Sequence, residues 1–551
     1  MIDAFASGPP PVQLIRCEPA TNHSFFFDLI QSHSPGNKAL HRLCSLMRKM
    51  KVSAYTREEL LPNQEIQEEA SAATLRCGAT VTTNAVRLSF FRSCPPTGDW
   101  HDLEQQDFLG YAVILTQQLP DGSSRPFILE SIVRPPSIFI SSPATPHGDA
   151  SVSNYYPHCV REFRSVIGTA TDHKQFRIVG NFFCQQNNLT HVCAHAALRM
   201  AINSSPRLNM AKLTNQSINH TLGIDHVGRA VGNYNGDDRG GVTDPQIQHV
   251  IRRLTPALDC HYADFNQNPG VEYAAFLYPL VESRAPVILA IDGPSVSHVV
   301  SVLGHTVNSD RWEPEARQGY GSFPFTQYIS SSAWADHFII NDDNLGMYVT
   351  LPTQSIHNFI VPKYNPNIHA AMAVGILAPG IIASGYETEM TAALCARSLL
   401  HFTQPAPGNR WLNCLKEVAV AHNPPWNALV CRTLLVSKTD YVAHMSSVTD
   451  SEGHRLNSPE IASLHSQLPD LFWMTEIALP DLYTANKTKL GDIISRTNPT
   501  QQEYIHGDGV IFAWLAGIAR GGSGLAGPQV TWSLTGHIPI LRTGPVPALE
   551  W

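Results

Sequence analysis

QQNNLTHVCAHAALRMA (residues 185–201) is the stretch whose reading decides the fold. A polar lead-in with two glutamines runs into Cys193, which opens an alanine-rich run with helical spacing through Ala194, Ala197, Leu198 and Ala201. A thiol in the first turn of a helix sits beside backbone N–H groups that have no intrahelical partner, at the positive end of the helix dipole. Both favour thiolate over thiol. Thr190 or Asn188 is placed to cap such a helix. Taken alone, Cys193 reads as a packing residue, because buried cysteines are common in helices. A nucleophile also needs a base, a group that orients the base, and donors for an oxyanion. Gln185 and Gln186 lie eight and seven residues upstream (193 − 185 and 193 − 186), and either can supply the last of these.

The base is sought downstream. RAPVILAIDGPSVSHVVSVLGH (284–305) places His298 at the start of an apolar strand, behind a Gly-Pro-Ser turn. His305 lies seven residues further on, at opposite strand parity, and is the weaker candidate. HFIINDD (337–343) reads as a second strand, whose end carries Asn341, Asp342 and Asp343. Alternation puts Asp342 on the face of Phe338 and Ile340, with Asn341 on the other. A carboxylate or amide there is suited to fix the imidazole tautomer, the third role in a triad.

The chain order Gln, Cys, His, Asp and its flanking residues resemble the papain-like cysteine peptidases. The closest likeness is to the branch that trims double-glycine leader peptides from bacteriocins, with its bacterial relatives. The matching residues are Gln186; Cys193 with Ala196, Ala197, Leu198 and Met200; Pro286-Val287-Ile288; Ser297-His298-Val299-Val300; and Ile340-Asn341-Asp342. The likeness covers about residues 180–360. It departs from the family pattern at Val192, Ala194 and Asp343, where Asp, Gly and Pro are usual, and the Gln-to-Cys spacing is one longer. The resemblance implies an α+β domain with a helical first part and an antiparallel sheet. It implies Cys193 as nucleophile, His298 as base, Asp342 as orienting group and Gln186 as oxyanion donor. The expected activity is hydrolysis of a peptide or isopeptide bond through a thioacyl-enzyme. The same triad would serve an acyltransferase or transglutaminase, and a degenerate papain-like domain would serve as a non-catalytic peptide binder. A bacterial setting is part of what the likeness suggests.

The rest of the chain bounds this reading. Its 551 residues exceed one ordinary domain. The expected division is an N-terminal mixed α/β domain (1–150), the papain-like domain (160–365) and a C-terminal mixed α/β domain (366–551). The Pro/Ser-rich segment 134–150 and the extended segment 361–369 are the expected connectors, and the insert at 306–336, with GYGSFPF inside it, is a candidate lid. The outer domains are possible surfaces for a protein partner. With 43% hydrophobic residues, 15% charged residues and a net charge of −8, the composition is globular and lacks a basic footprint for nucleic acid. The longest apolar run, 370–385, is broken by Gly375, Pro379 and Gly380 and falls short of the roughly 20 residues that span a bilayer. No secretory signal is read at the N-terminus. Eleven scattered cysteines without a CxxC pair suit reduced thiols in a cytoplasm. His191, Cys193 and His195 diverge by about 200° per step on a helix, so no metal site is expected there, and no cofactor.

Overall fold

The computed structural model describes residues 12–17, 37–135, 155–187, 189–190, 192–206, 211–223, 242–254, 257–268, 271–294, 296–306, 317–318, 327–354, 356, 368–404, 408–420, 428–447, 468–486, 488–500, 509–521, 530–533 and 540–541. The fold is mixed α+β, and its sheets are built mainly from antiparallel strands. The chain forms two compact units, each assembled from three separate segments. Met1–Tyr262, Arg284–Gly304 and Phe338–Ile376 make the first; Ala263–Ser283, His305–His337 and Leu377–Trp551 make the second. This replaces the three consecutive domains expected from sequence. The physical reason is strand pairing across the expected boundaries, described below. Residues 136–150, 361–367 and GYGSFPF lie outside the described residues.

In chain order the first unit opens with β1 (Gln13–Arg16), α1 (Lys38–Lys49), β2 (Ala54–Glu59), α2 (Gln64–Cys77), β3 (Thr82–Phe91), β4 (Phe108–Gln118) and β5 (Ser124–Val133). β6 (Tyr155–Pro157), β7 (Arg161–Gly168) and β8 (His173–Phe183) follow. The sheet order is β1-β2-β3-β4-β5-β8-β7, with Ser131 opposite Phe183. A boundary at residue 150 would therefore cut one sheet in two. α1 forms because its apolar residues recur at helical spacing and because the Asn37 side chain accepts from the Leu40 N–H. Its buried face (Leu40, Leu43, Met47) joins Phe90, Phe108 and Phe176 in the sheet's core.

α3 (Cys193–Ser204), α4 (Asn215–Leu222), α5 (Asp244–Leu254) and β9 (Asp259–Asp264) follow, and then α6 (Tyr273–Glu282), which belongs to the second unit. β10 (Val287–Gly293) and β11 (Val296–Thr306) form a hairpin with Ile291 opposite His298. After β12 (Arg317–Gln318) and β13 (Gln327–Ser330) come β14 (His337–Asp342), β15 (Gly346–Pro352) and β16 (His369–Leu377). The second sheet runs β15-β14-β11-β10-β16-β9, and β6 pairs with β11. The apolar run at 370–385 is thus a buried strand followed by a turn. No helix of the described residues is long and apolar enough to cross a membrane. The β14–β15 turn packs tightly on α1. A Cβ on Gly346 (φ +112°) would lie 2.6 Å from Arg42 Cβ, and the Arg42 guanidinium donates to the Met347 and Tyr348 carbonyls.

The second unit centres on an eight-stranded sheet. It contains β12, β13, β17 (Leu429–Ser437), β18 (Leu471–Ala478), β20 (Gly491–Ser495), β21 (Val510–Leu515), β22 (Ile518–Gly521) and β23 (Val530–Ser533), in that order. β19 (Thr488–Lys489) pairs separately with β24 (Ile540–Leu541). β13 joins β17 in parallel, so the insert expected as a lid contributes strands to this sheet. α7 (Gly385–Phe402) and α8 (Arg410–Val420) cover one face, and α9 (Lys438–Ser447) sets Tyr441 and Met445 on the other. A charged row crosses the sheet interior. Arg432 bonds Glu476, its register partner, at 2.8 Å and Glu282 of α6 at 3.0 Å. Lys489, fully buried, reaches Glu476 at 3.2 Å and Asp492 at 2.9 Å. Removing one partner from such a network leaves an uncompensated buried charge. Arg432→Met is therefore expected to lower unfolding stability by about 3–5 kcal/mol in urea titrations. Adding Glu282→Gln and Glu476→Gln should recover part of the loss; a triple variant no more stable than the single one would refute this account.

Candidate active site

The lead-in to Cys193 is tied down residue by residue. Gln185 is buried. Its amide exchanges two hydrogen bonds with the Asn37 side chain (3.1 and 2.9 Å), and its oxygen also accepts from the Ile128 N–H. Asn187 accepts from the Leu189 and Thr190 N–H groups and donates to Thr190 and to Glu69 of α2. α3 then starts at Cys193. Neither expected cap serves: Val192 is the N-cap, with no side-chain acceptor, Thr190 is committed to Asn187, and Asn188 lies outside the described residues. The N–H groups of the first turn are thus left without a side-chain acceptor, beside a partly exposed thiol.

Every residue of α3 after Cys193 is buried. Ala196 and Met200 pack into the core of the first sheet, while Ala194, Ala197, Leu198, Ala201 and Ile202 pack into that of the second. Arg199 is buried with them and is held by Glu65 at 2.5 Å. The Ser204 hydroxyl accepts from the Phe182 N–H and so fixes the helix to β8.

Strand β11 brings His298 to this helix start, near enough for the Cys193 thiol to help hold its imidazole protonated. His298 Nε2 is 3.1 Å from Asp342 Oδ2 at the end of β14. That engagement leaves Nδ1 for the thiol. The other oxygen of Asp342 accepts from the Asn344 and Leu345 N–H groups (2.8 and 3.0 Å), which locks the carboxylate in place. Asn341 points elsewhere, to the Phe182 carbonyl and the Tyr348 N–H. Of the two glutamines, Gln186 is the partly exposed one, whereas Gln185 is buried and anchored. Gln186 gives one amide hydrogen to Asn344 Oδ1 at 3.1 Å, whereas Gln185 pairs with the Asn37 side chain and accepts from the Ile128 N–H. The structure thus brings Cys193, His298 and Asp342 together, with Gln186 joined to the turn that follows Asp342. His305 is not part of this group: its two nitrogens bond Glu282 and the Thr306 carbonyl inside the second unit. His195 turns to Asn219 at 2.9 Å, and His191 lies outside the described residues. Cys184 and Cys193 are both free thiols.

Burial pushes the His298 imidazole down, but its hydrogen bonds to Asp342 and Cys193 and the two nearby carboxylates outweigh this and hold its pKa well above the usual value. Burial also pushes Asp342 up, yet the imidazole and the two N–H donors leave it below the ordinary carboxylate range. Asp343 is the anomaly. It is fully buried with neither carboxylate oxygen hydrogen-bonded, and it lies 3.7 Å from His298 Nε2. Burial, reinforced by Asp342, raises it to about 7. His298, Asp342 and Asp343 are also close enough together to ligate a divalent cation, which would take His298 Nε2 from Asp342. Sequence reading did not single out Asp343 as an acid held near neutrality, or Asn344 as the partner of Gln186. The Asp-Asp-Asn run was the available signal.

No protein-family model, no curated protein and no solved structure matches this chain.

The pKa directions set the pH dependence of stability. His298, raised in the folded state, contributes stability that is complete below its unfolded pKa of about 6.5 and is lost as pH rises through its folded value. Asp343 binds its proton more tightly folded than unfolded, so its contribution is lost as pH rises from about 4 to about 7. Asp343→Asn should therefore gain stability over the parent across that window, by up to a few kcal/mol, and level off above it. A pH-independent difference in denaturation midpoints would show that Asp343 is ionised throughout.

Proposed function

We propose that this protein is a cysteine hydrolase of papain-like type, cleaving a peptide or isopeptide bond. The observation that carries the proposal is the chain Cys193 thiol–His298–Asp342, placed at an uncapped helix start. His298 takes the thiol proton and Cys193 Sγ attacks the carbonyl carbon. The first-turn N–H groups and the remaining Gln186 amide hydrogen are donors for the oxyanion that forms. The tetrahedral intermediate collapses as His298 protonates the leaving amine, which leaves a thioacyl-enzyme. Water, deprotonated by His298, then releases the acid and regenerates the thiol. Asp342 holds the ring orientation and stabilises the imidazolium at each step. An amine in place of water would turn the same intermediate to acyl transfer.

The competing thiols make the test sharp. Burial pushes Cys184 up to about 11, and Cys44 and Cys395 to about 12. Alkylation by iodoacetamide at pH 6, resolved by mass spectrometry, should modify Cys193 fastest of the eleven cysteines. His298→Ala should remove that lead by at least about tenfold. Equal, slow modification of Cys193 in both proteins would refute the nucleophile.

A further inference from the structure

Beside the candidate site lies a cavity of about 610 Å³, within the size range of ligand pockets. It shares Gln186 and Asn344 with that site. Its walls are preset by hydrogen bonds. The reciprocal Asn37–Gln185 amide pair ties the start of α1 to the residues before Cys193, and Asn37 also donates to the Pro126 carbonyl at 3.2 Å. Asn187, on the same wall, has its amide committed to Glu69 and Thr190. These amides are engaged with the wall itself, which leaves Gln186 and the charged side chains to address a ligand.

Two residues lining the cavity are cationic, Lys38 and Arg125, and none is acidic. Both are exposed at its rim. Neither makes an ion pair among the described residues; Asp121 feels the charge of Arg125 without pairing to it. Over a pocket lined by no carboxylate, two cations without an ion pair among the described residues make a locally positive site in a chain of net charge −8. Phe127 supplies an apolar floor that is almost fully buried. An apolar floor under a cationic rim fits a short methylene stem ending in a carboxylate.

We infer that this cavity binds an anionic group of the substrate, a carboxylate held by Lys38 and Arg125 next to the scissile bond. The inference names the substrate class for the peptidase reading and rests on it for its placement beside the scissile bond. The carboxylate is that of an acidic side chain or of a peptide C-terminus, and the two are separable by probe chemistry.

Two measurements keep the cavity and the nucleophile apart. In the first, fluorescein-labelled pentapeptides bind the Cys193→Ala protein, followed by anisotropy. One peptide carries Glu and its isostere carries Gln; each is made with a free or an amidated C-terminus. Binding should be at least about tenfold tighter for the anionic members, should weaken with added salt, and should lose that preference in Lys38→Gln/Arg125→Gln. A preference that follows Glu assigns the side chain; one that follows the free terminus assigns the terminal carboxylate. Equal binding of all four peptides, or a preference that survives the double substitution, overturns the inference. In the second, epoxysuccinyl peptides of the same design, whose electrophile can be extended on both sides, label the full-length protein. Capture of Cys193 with the same anionic preference places the cavity beside the nucleophile. Anionic binding without capture upholds the anion site and overturns both its link to the scissile bond and the peptidase reading.

Discussion

The helix headed by Cys193 is buried on both sides, and the candidate site depends on that constraint. A helix pressed between two sheet cores needs small apolar residues on most of its circumference, and this one reads Ala194, Ala196, Ala197, Leu198, Met200, Ala201 and Ile202. Its one buried cation, Arg199, is matched by Glu65 of α2, so the wedge carries no uncompensated charge there. Because the helix cannot shift without opening two cores, the atoms at its start are fixed to within packing tolerance. The only residue of the helix that escapes burial is Cys193.

The other members of the site are fixed by different means. β11 presents His298 from within a sheet, and the turn after β14 presents Asp342 through two backbone N–H bonds to one carboxylate oxygen. That turn is pinned by α1, which approaches so closely that only glycine fits at position 346. Asp343 pays for this tight turn with a buried, unbonded carboxylate, and it places a second acid against the imidazole that Asp342 already orients. A second carboxyl group is therefore set against the imidazole, and burial, which raises it to about 7, keeps it largely protonated below neutral pH.

Local patterns carried much of this architecture. Helical spacing through Leu40, Leu43 and Met47, the alternating apolar strands around His298 and Asp342, and the alanine-rich run after Cys193 all correspond to elements in place. The spatial neighbourhood of Cys193, His298 and Asp342 could be read from their order and strand parity; their catalytic role remains the proposal made above. What sequence could not supply was long-range partnership. Gln185 and Gln186 are indistinguishable by spacing, and only Asn37, 148 residues away, reveals that the first is structural. The unit boundaries failed for the same reason. β7 and β8 return to a sheet begun before residue 20, and α6 and β13 leave the run of strands around them to join partners beyond residue 385. Nothing local marks either event.

This interleaving has a bearing on synthesis. The segments Ala263–Ser283 and His305–His337 emerge from the ribosome between segments of the first unit, but they belong to a unit whose central strands begin only at Leu429. Glu282 is made 150 residues before the Arg432 that neutralises it, and β13 is made about a hundred residues before the strand it pairs with. Vectorial assembly can thus complete the candidate site while two of its intervening loops still wait, unpartnered, for the rest of the chain. The nascent protein carries exposed strand edges and buried-type charges through that interval, a period in which chaperone binding would do the work that the second unit later does for itself.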